Sequence, residues 1–142
     1  VAPLLTYIGL APEIALPAGP LAWCGIVGAL SLIAVSLCGL GYAFAWRLDS
    51  VQGFHAIMSV LLFPMWLLSG AFFPVAQSGW LGWLMKVNPL TYGVASLRHV
   101  MAVDPATTSH LPSLTVSVSV TLLFALACVG IDVWLTSRPG RA

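Results

Sequence analysis

Charged residues are scarce in this chain. Lys, Arg, Asp and Glu make up 6% of its 142 residues, against 60% hydrophobic residues, and the formal net charge is +1. Ordinary globular domains carry about a quarter charged residues, and a soluble domain of this length leaves too much of its surface exposed to hide so much apolar area. A nucleic-acid partner needs a basic patch, which this composition does not supply. The sequence therefore predicts an integral membrane protein surrounded by a lipid bilayer, with no nucleic-acid partner.

Catalytic and metal-binding motifs are also missing. The sequence has no P-loop, no H-E-x-x-H and no G-x-S-x-G element. Its histidines lie far apart, and its cysteines sit in apolar runs without a C-x-x-C pair: His55, His99, His110, Cys24, Cys38 and Cys128. We therefore predict that the chain is not an enzyme and that it holds neither a cofactor nor a metal ion of its own.

What the sequence does have is apolar runs of membrane length. A hydrocarbon core about 30 Å thick takes roughly 20 apolar residues of helix to cross. Full spans are predicted at 21–46, 53–72 and 113–135, whereas 1–11 is too short to cross alone and reads as the end of another span. Small residues along 21–46 favour close packing against other helices. The predicted fold class is an all-α helical bundle in the membrane.

The last span contains the stretch LTVSVSVTL, whose alternation is typical of a β-strand. A membrane strand needs a closed barrel of many such segments, and the other runs do not alternate, so a helix is predicted instead. On that helix Ser117 and Thr121 share a face, which suits hydrogen bonds to a neighbouring helix.

Helix breakers dominate the stretch from Leu61 to Arg98. They are Pro64, Gly70, Pro74 and the pair Asn88-Pro89. Between them lies a short piece with Trp80, Trp83 and Lys86, a composition typical of a membrane interface. A full crossing through Lys86 and Asn88 is costly. We therefore predict that 79–102 forms two short re-entrant or interfacial helices before the last span.

The basic residues give an orientation. Arg47 and the pair Arg138/Arg141 are separated by two full crossings, so they share one side of the membrane. The positive-inside rule places that side in the cytoplasm. The predicted tail, 136–142, is therefore cytoplasmic, and the two short helices lie on the outer side.

Three ionisable residues each allow two interpretations. His55 is either an interfacial histidine or part of a proton relay, and Asp132 is either an interfacial or ion-paired carboxylate or a coupling residue. Arg98 is either a headgroup anchor or a contact at a substrate exit. The aromatic residues of this region favour a belt at the interface over a ligand cage: Trp66, Phe72, Phe73, Trp80, Trp83 and Tyr92.

Two stretches carry a family resemblance. PMWLLSGAFFPV followed by NPLTYGVASLRHVM resembles the C-terminal signature of ABC-2 type transporter permeases, and GYAFAWRLDSVQGFHAIM resembles the preceding span, cytoplasmic turn and start of the next span. The signature positions are Pro64, Ser69, Gly70, Phe73, Pro74, Asn88, Pro89, Tyr92 and Arg98. Many members have an acidic residue where this chain has Ala95.

The resemblance implies that 1–142 is the C-terminal part of a six-span permease domain, beginning at the end of the third span. It also implies a dimer of permease subunits that exports a drug, a lipid-like molecule or a polysaccharide across a bacterial inner membrane. Each subunit docks on a separate cytoplasmic ATPase, which binds the ATP and Mg²⁺. The alternative is an ion-coupled secondary transporter or a membrane-embedded enzyme that uses His55, Asp132 and Arg98.

Overall fold

The computed structural model describes residues 19–71, 79–102 and 108–137. The elements in these ranges are all helices: α1 (Pro20–Ala45), α2 (Val51–Trp66), a π-helical segment (Leu67–Ala71), α3 (Gly79–Val87), α4 (Pro89–Met101) and α5 (Leu114–Ser137). Three of them are long and apolar enough to cross a membrane, namely α1, α5 and α2 together with its π-helical end. The predicted fold class is therefore confirmed. The predicted span end at 1–11 and the arginines at 138 and 141 lie outside the described residues.

Local signals fix where the helices begin. Pro20 and Pro89 occupy first-turn positions of α1 and α4, where the missing N–H of proline is not needed. Ser50 caps the start of α2, because its Oγ accepts a hydrogen bond from the Gly53 amide at 2.9 Å.

The helices α1 and α5 run parallel and pack along their length, which the small residues of α1 permit. A Cβ on Gly39 of α1 would lie 2.9 Å from Cβ of Cys128 in α5, closer than real side chains approach. Toward the start of both helices, Leu32 of α1 and Ala125 of α5 line one shared recess. Because contacts advance in the same direction on both helices, the C-terminal ends of α1 and α5 lie together. Arg47, which comes just after α1 in the sequence, therefore lies at the same end of the bundle as the C-terminus of α5. We call this end the Arg47 end.

The helix α4 lies beside the membrane-spanning part of α1. A Cβ on Gly93 would come within 2.8 Å of Ile33 Cγ1, and Ile33 is halfway along α1, about 20 Å from its start at 1.5 Å per residue. The end of α4 returns toward the start of α1, because Val100 Cγ1 approaches the Cβ position of Gly25 at 3.0 Å. We call the end of the bundle where α1 begins the hairpin end.

The structure corrects one prediction about α5. Ser117 and Thr121 do share a buried face, but their hydroxyls do not bridge to a neighbouring helix. Ser117 Oγ donates to the Pro112 carbonyl at 3.3 Å, and Thr121 Oγ1 donates to the Ser117 carbonyl at 2.8 Å. The short side chains reach the backbone of the preceding turn more readily than a partner helix.

The helix α2 stands apart from this packing. It buries none of its own residues. Its π-helical segment, in contrast, packs extensively on α4, and α4 packs on both α1 and α5. Within the part of the chain that the structure describes, the span formed by α2 is therefore held mainly at one end, the hairpin end.

Candidate functional site

The end of α2 changes from α-helix to π-helix. Pro64 lies inside α2 and removes one backbone donor. The α-helix continues to Trp66, and Leu67–Ala71 then follows as a π-helix in which Gly70 has φ +82°. This left-handed backbone is accessible to glycine at little cost. Ser69 is buried and its Oγ donates to the Trp66 carbonyl at 2.6 Å. Phe73 and Pro74 lie outside the described residues.

Two side chains of the hairpin donate to carbonyls at this irregular helix end. Asn88 Nδ2 donates to the Met65 carbonyl at 2.7 Å, and Thr91 Oγ1 donates to the Leu68 carbonyl at 3.3 Å. The two donors are three residues apart, and so are the two acceptors, so the first turn of α4 lies along the last turns of the α2 span. The final carbonyls of a helix lack partners within the helix and need such donors. We call this pair of hydrogen bonds the clamp.

Asn88 also starts α4. Its Oδ1 accepts a hydrogen bond from the Leu90 amide at 3.1 Å, and Pro89 takes the first helical position. The side chain therefore uses its acceptor to cap one helix and its donor to hold another. Asn88 is 7% exposed and Thr91 is 2% exposed, so both bonds are shielded from water.

The other signature residues of α4 hold the hairpin together. Tyr92 donates its phenol proton to the Lys86 carbonyl at 2.8 Å, which joins the start of α4 to the last turn of α3. Arg98 lies half-buried in the last turn of α4. The neighbouring His99 donates from Nε2 to the Pro112 carbonyl at 2.8 Å, which ties the end of α4 to the start of α5.

A recess lies along the exposed length of α2. It is open to the surroundings, has a volume of about 830 Å³, and is lined by residues of α2 alone. Its lining residues are His55, Met58, Ser59, Val60, Leu62, Phe63, Pro64 and Trp66. The lining is mostly apolar, with a polar group from His55 near the Arg47 end, another from Ser59 at mid-span, and aromatic rings from Phe63 and Trp66 toward the hairpin end.

The three ionisable candidates are not brought together. His55 is exposed in the first turns of α2, where its ring meets that of Phe54 edge-on at 5.8 Å. Asp132 lies near the C-terminus of α5 and faces Gly39 of α1. Arg98 belongs to the hairpin end, so it is separated from both by most of the membrane thickness. These three residues do not form one site.

Asp132 has an unusual environment. Its Oδ1 is buried and has no hydrogen-bond partner among the described residues, whereas its Oδ2 lies 3.1 Å from the Cβ position of Gly39. The glycine gives the carboxylate room against α1. A side chain at position 39 would displace it.

Sequence reasoning missed Thr91, the second donor of the clamp. Its three-residue spacing from Asn88 was visible, but the accepting carbonyls belong to the π-helical segment. A signal for that segment existed in Pro64 and Gly70, because both weaken the regular ladder of backbone hydrogen bonds.

The described residues form a helical membrane domain in which a short hairpin, α3 and α4, joins the long helices and packs beside them. Comparison with known families gives the class of this domain. The model of the ABC-2 type transporter family matches residues 2–102.

The chain therefore belongs to the ABC-2 type transporter family, as the resemblance of its signature implied. It is a membrane permease component of an ABC transporter. The match includes α1 to α4 and ends at Ala102, so α5 lies beyond it. No curated protein and no solved structure matches the chain.

Proposed function

We propose that the chain is part of the permease subunit of an ATP-powered exporter and that the recess on α2 borders the path of the transported molecule. The observation that carries this proposal is the exposed recess on a membrane-spanning helix of a chain from this family.

The lining of the recess favours one substrate class among drugs, lipid-like molecules and polysaccharides. A polysaccharide is covered with hydroxyls that need partners, and the recess offers few polar groups besides His55 and Ser59. An amphipathic molecule that is soluble in lipid suits it better. Its apolar body would lie against Phe63 and Trp66, and its polar end would lie at Ser59 and His55.

The proposed source of energy is a partner, in line with the family to which the chain belongs. The proposed partners are a cytoplasmic ATPase that holds ATP and Mg²⁺ and a second permease subunit, identical or related. The Arg47 end of the bundle is assigned to the cytoplasm, in line with the positive-inside rule. The C-terminus then lies in the cytoplasm, the hairpin lies on the outer side, and the membrane is a bacterial inner membrane.

The central experiment is purification of the full-length protein with its ATPase. A gene for a Walker-A ATPase beside this one identifies the candidate to co-express. The complex should hydrolyse ATP faster than the ATPase alone and should move an amphipathic dye in proteoliposomes only when ATP is present. Transport driven by an ion gradient without any ATPase would contradict the proposal and favour an ion-coupled carrier.

The recess itself has a matched test. Ser59→Trp would fill it, whereas Ile57→Trp places the same side chain on an exposed position of α2 that does not line it. We expect the first variant to lose dye transport and the second to keep it, with both retaining their thermal stability. Equal transport by both would contradict a path along this face.

The alternative function is tested with alanine substitutions. An ion-coupled carrier or a membrane enzyme that uses His55, Asp132 and Arg98 should lose all activity when any of these residues is replaced. In the proposed exporter, replacements at His55 and Asp132 should change stability or coupling and leave measurable transport.

A further inference from the structure

The helix α3 has two faces of different character. Met85 is 0% exposed and Gly82 is also buried, so this side packs on the protein. On the other side Trp80, Trp83 and Val87 are 77%, 66% and 60% exposed. Leu84, also exposed, completes the same helical face, because residues three, four and seven apart lie on one side of a helix. We call these four residues the α3 stripe.

A stripe of two tryptophans and two aliphatic residues cannot face water without cost. Burial of large apolar side chains is favourable by about 1.5–3 kcal/mol each. Lys86 is exposed at the edge of the α3 stripe, next to Trp83. Tryptophan together with a flanking lysine is the composition that proteins place at the boundary between lipid headgroups and acyl chains.

The clamp sets the depth of this face in the membrane. Asn88 follows directly after α3 and donates to the carbonyl of Met65, which is fourteen residues after Val51 in the same span. At 1.5 Å per residue this carbonyl lies about 21 Å from the start of α2. If α2 starts at one boundary of a core about 30 Å thick, Asn88 lies about 9 Å inside the opposite boundary. Interfacial helices bury their apolar faces about 5–10 Å deep.

We propose that the α3 stripe is a lipid-binding surface and that its partner is the phospholipid of the leaflet at the hairpin end. The indole rings and aliphatic side chains contact the upper acyl chains, and the Lys86 ammonium reaches up to a lipid phosphate. This assignment does not depend on the substrate or on the ATPase. Under the orientation proposed above, the leaflet is the outer one.

A consequence for the transporter follows from the connections of α3. Its last turn is tied to α4 through the hydrogen bond from Tyr92 to the Lys86 carbonyl, and α4 is clamped to the end of α2. Contact with lipid at the α3 stripe therefore fixes the depth of the hairpin in the membrane. Through the clamp it also fixes the depth of the π-helical end of α2.

Spin labels measure the proposed contact directly. The full-length protein, with Cys24, Cys38 and Cys128 replaced by alanine, is reconstituted into vesicles of phosphatidylcholine and phosphatidylglycerol. Single nitroxides are placed at Trp83→Cys and Val87→Cys, and collision rates with oxygen and with a water-soluble nickel chelate are recorded. Their ratio reports depth in the bilayer.

Three further positions calibrate the measurement. Leu123→Cys, at a position that is 66% exposed in the middle of α5, marks the bilayer centre. Ser109→Cys, exposed between α4 and α5, marks water. Ser117→Cys replaces a fully buried residue and marks a protein interior.

We expect the labels at 83 and 87 to collide mainly with oxygen, at depths between those at 123 and 109, about 5–10 Å below the boundary between headgroups and acyl chains. Lys86→Gln should move the label at 83 to a greater depth, because the ammonium no longer holds the helix near the phosphates. Nickel accessibility equal to that at 109 would mean that the stripe lines an aqueous path. Inaccessibility to both reagents, as at 117, would mean that another protein surface covers it. Either result would overturn the proposal.

Discussion

The clamp gives the sharpest quantitative prediction about this fold. Asn88 has two roles that substitution separates. Serine caps helices about as well as asparagine, but its hydroxyl is too short to reach the Met65 carbonyl, so Asn88→Ser removes the clamp bond and keeps the cap. Asn88→Ala removes both. The second donor, Thr91, is tested with Thr91→Val, which keeps the shape and removes the hydroxyl, and with Thr91→Ser, which keeps the hydroxyl.

The expected magnitudes follow from burial and bond length. Losing the 2.7 Å bond from Asn88 leaves a shielded carbonyl without its side-chain donor, which costs about 1–2 kcal/mol. Loss of the cap adds about 1 kcal/mol in Asn88→Ala. The bond from Thr91 is longer, at 3.3 Å, and hydrogen bonds between membrane helices average about 0.6 kcal/mol. We therefore expect the cost to rise from Thr91→Ser to Thr91→Val, then to Asn88→Ser and Asn88→Ala.

The assay is reversible unfolding of the full-length protein in mixed micelles by a denaturing detergent, with helicity as the signal. The double variant Asn88→Ser/Thr91→Val shows whether the two bonds act together, because neighbouring contacts give non-additive free energies. If Asn88→Ser unfolds with the same free energy as the parent protein, the clamp does not stabilise the hairpin and the reasoning fails.

Three further outcomes are expected. Gly39→Ala should lower the free energy of unfolding by about 1–3 kcal/mol, because the added methyl group forces α1 to shift against α5. The control is Gly28→Ala, which has nothing within 4 Å of its Cβ position and should leave the free energy of unfolding no lower than in the parent. Similar losses in both variants would contradict the packing described. Gly70→Ala should cost about 1–2 kcal/mol because its φ is positive, and an unchanged thermal midpoint would argue against the left-handed backbone. Asp132→Asn should raise the thermal midpoint, because a buried oxygen without a partner no longer carries charge; a lower midpoint would show that the carboxylate has a stabilising partner.

Much of the fold followed from local signals in the sequence. Long apolar runs specify membrane helices because unpaired backbone groups are too costly in lipid. Pro89 after Asn88 marks a helix start in almost any context, and α4 begins there. The alternating stretch in α5 was also interpreted correctly, since length outweighs a period-two pattern when no barrel can form.

The site could be predicted only in part, because its contacts join distant segments. The clamp pairs residues 23 positions apart, and no local propensity encodes that pairing. Ser117 and Thr121 were placed on the correct face, but the choice between a neighbouring helix and the preceding turn depends on distances of an ångström. The position of Asp132 against Gly39 likewise depends on the register of two helices, which composition does not specify.

The distribution of packing in the bundle bears on how such a permease can move. Regions with few buried contacts open at the lowest free-energy cost, and in this molecule that region is α2, which buries none of its residues and carries the recess. The units α1, α4 and α5 pack on one another and resist separation. We therefore expect α2 to be displaced more easily at the Arg47 end than at its clamped π-helical end, while α4 keeps its packing on α1 and α5.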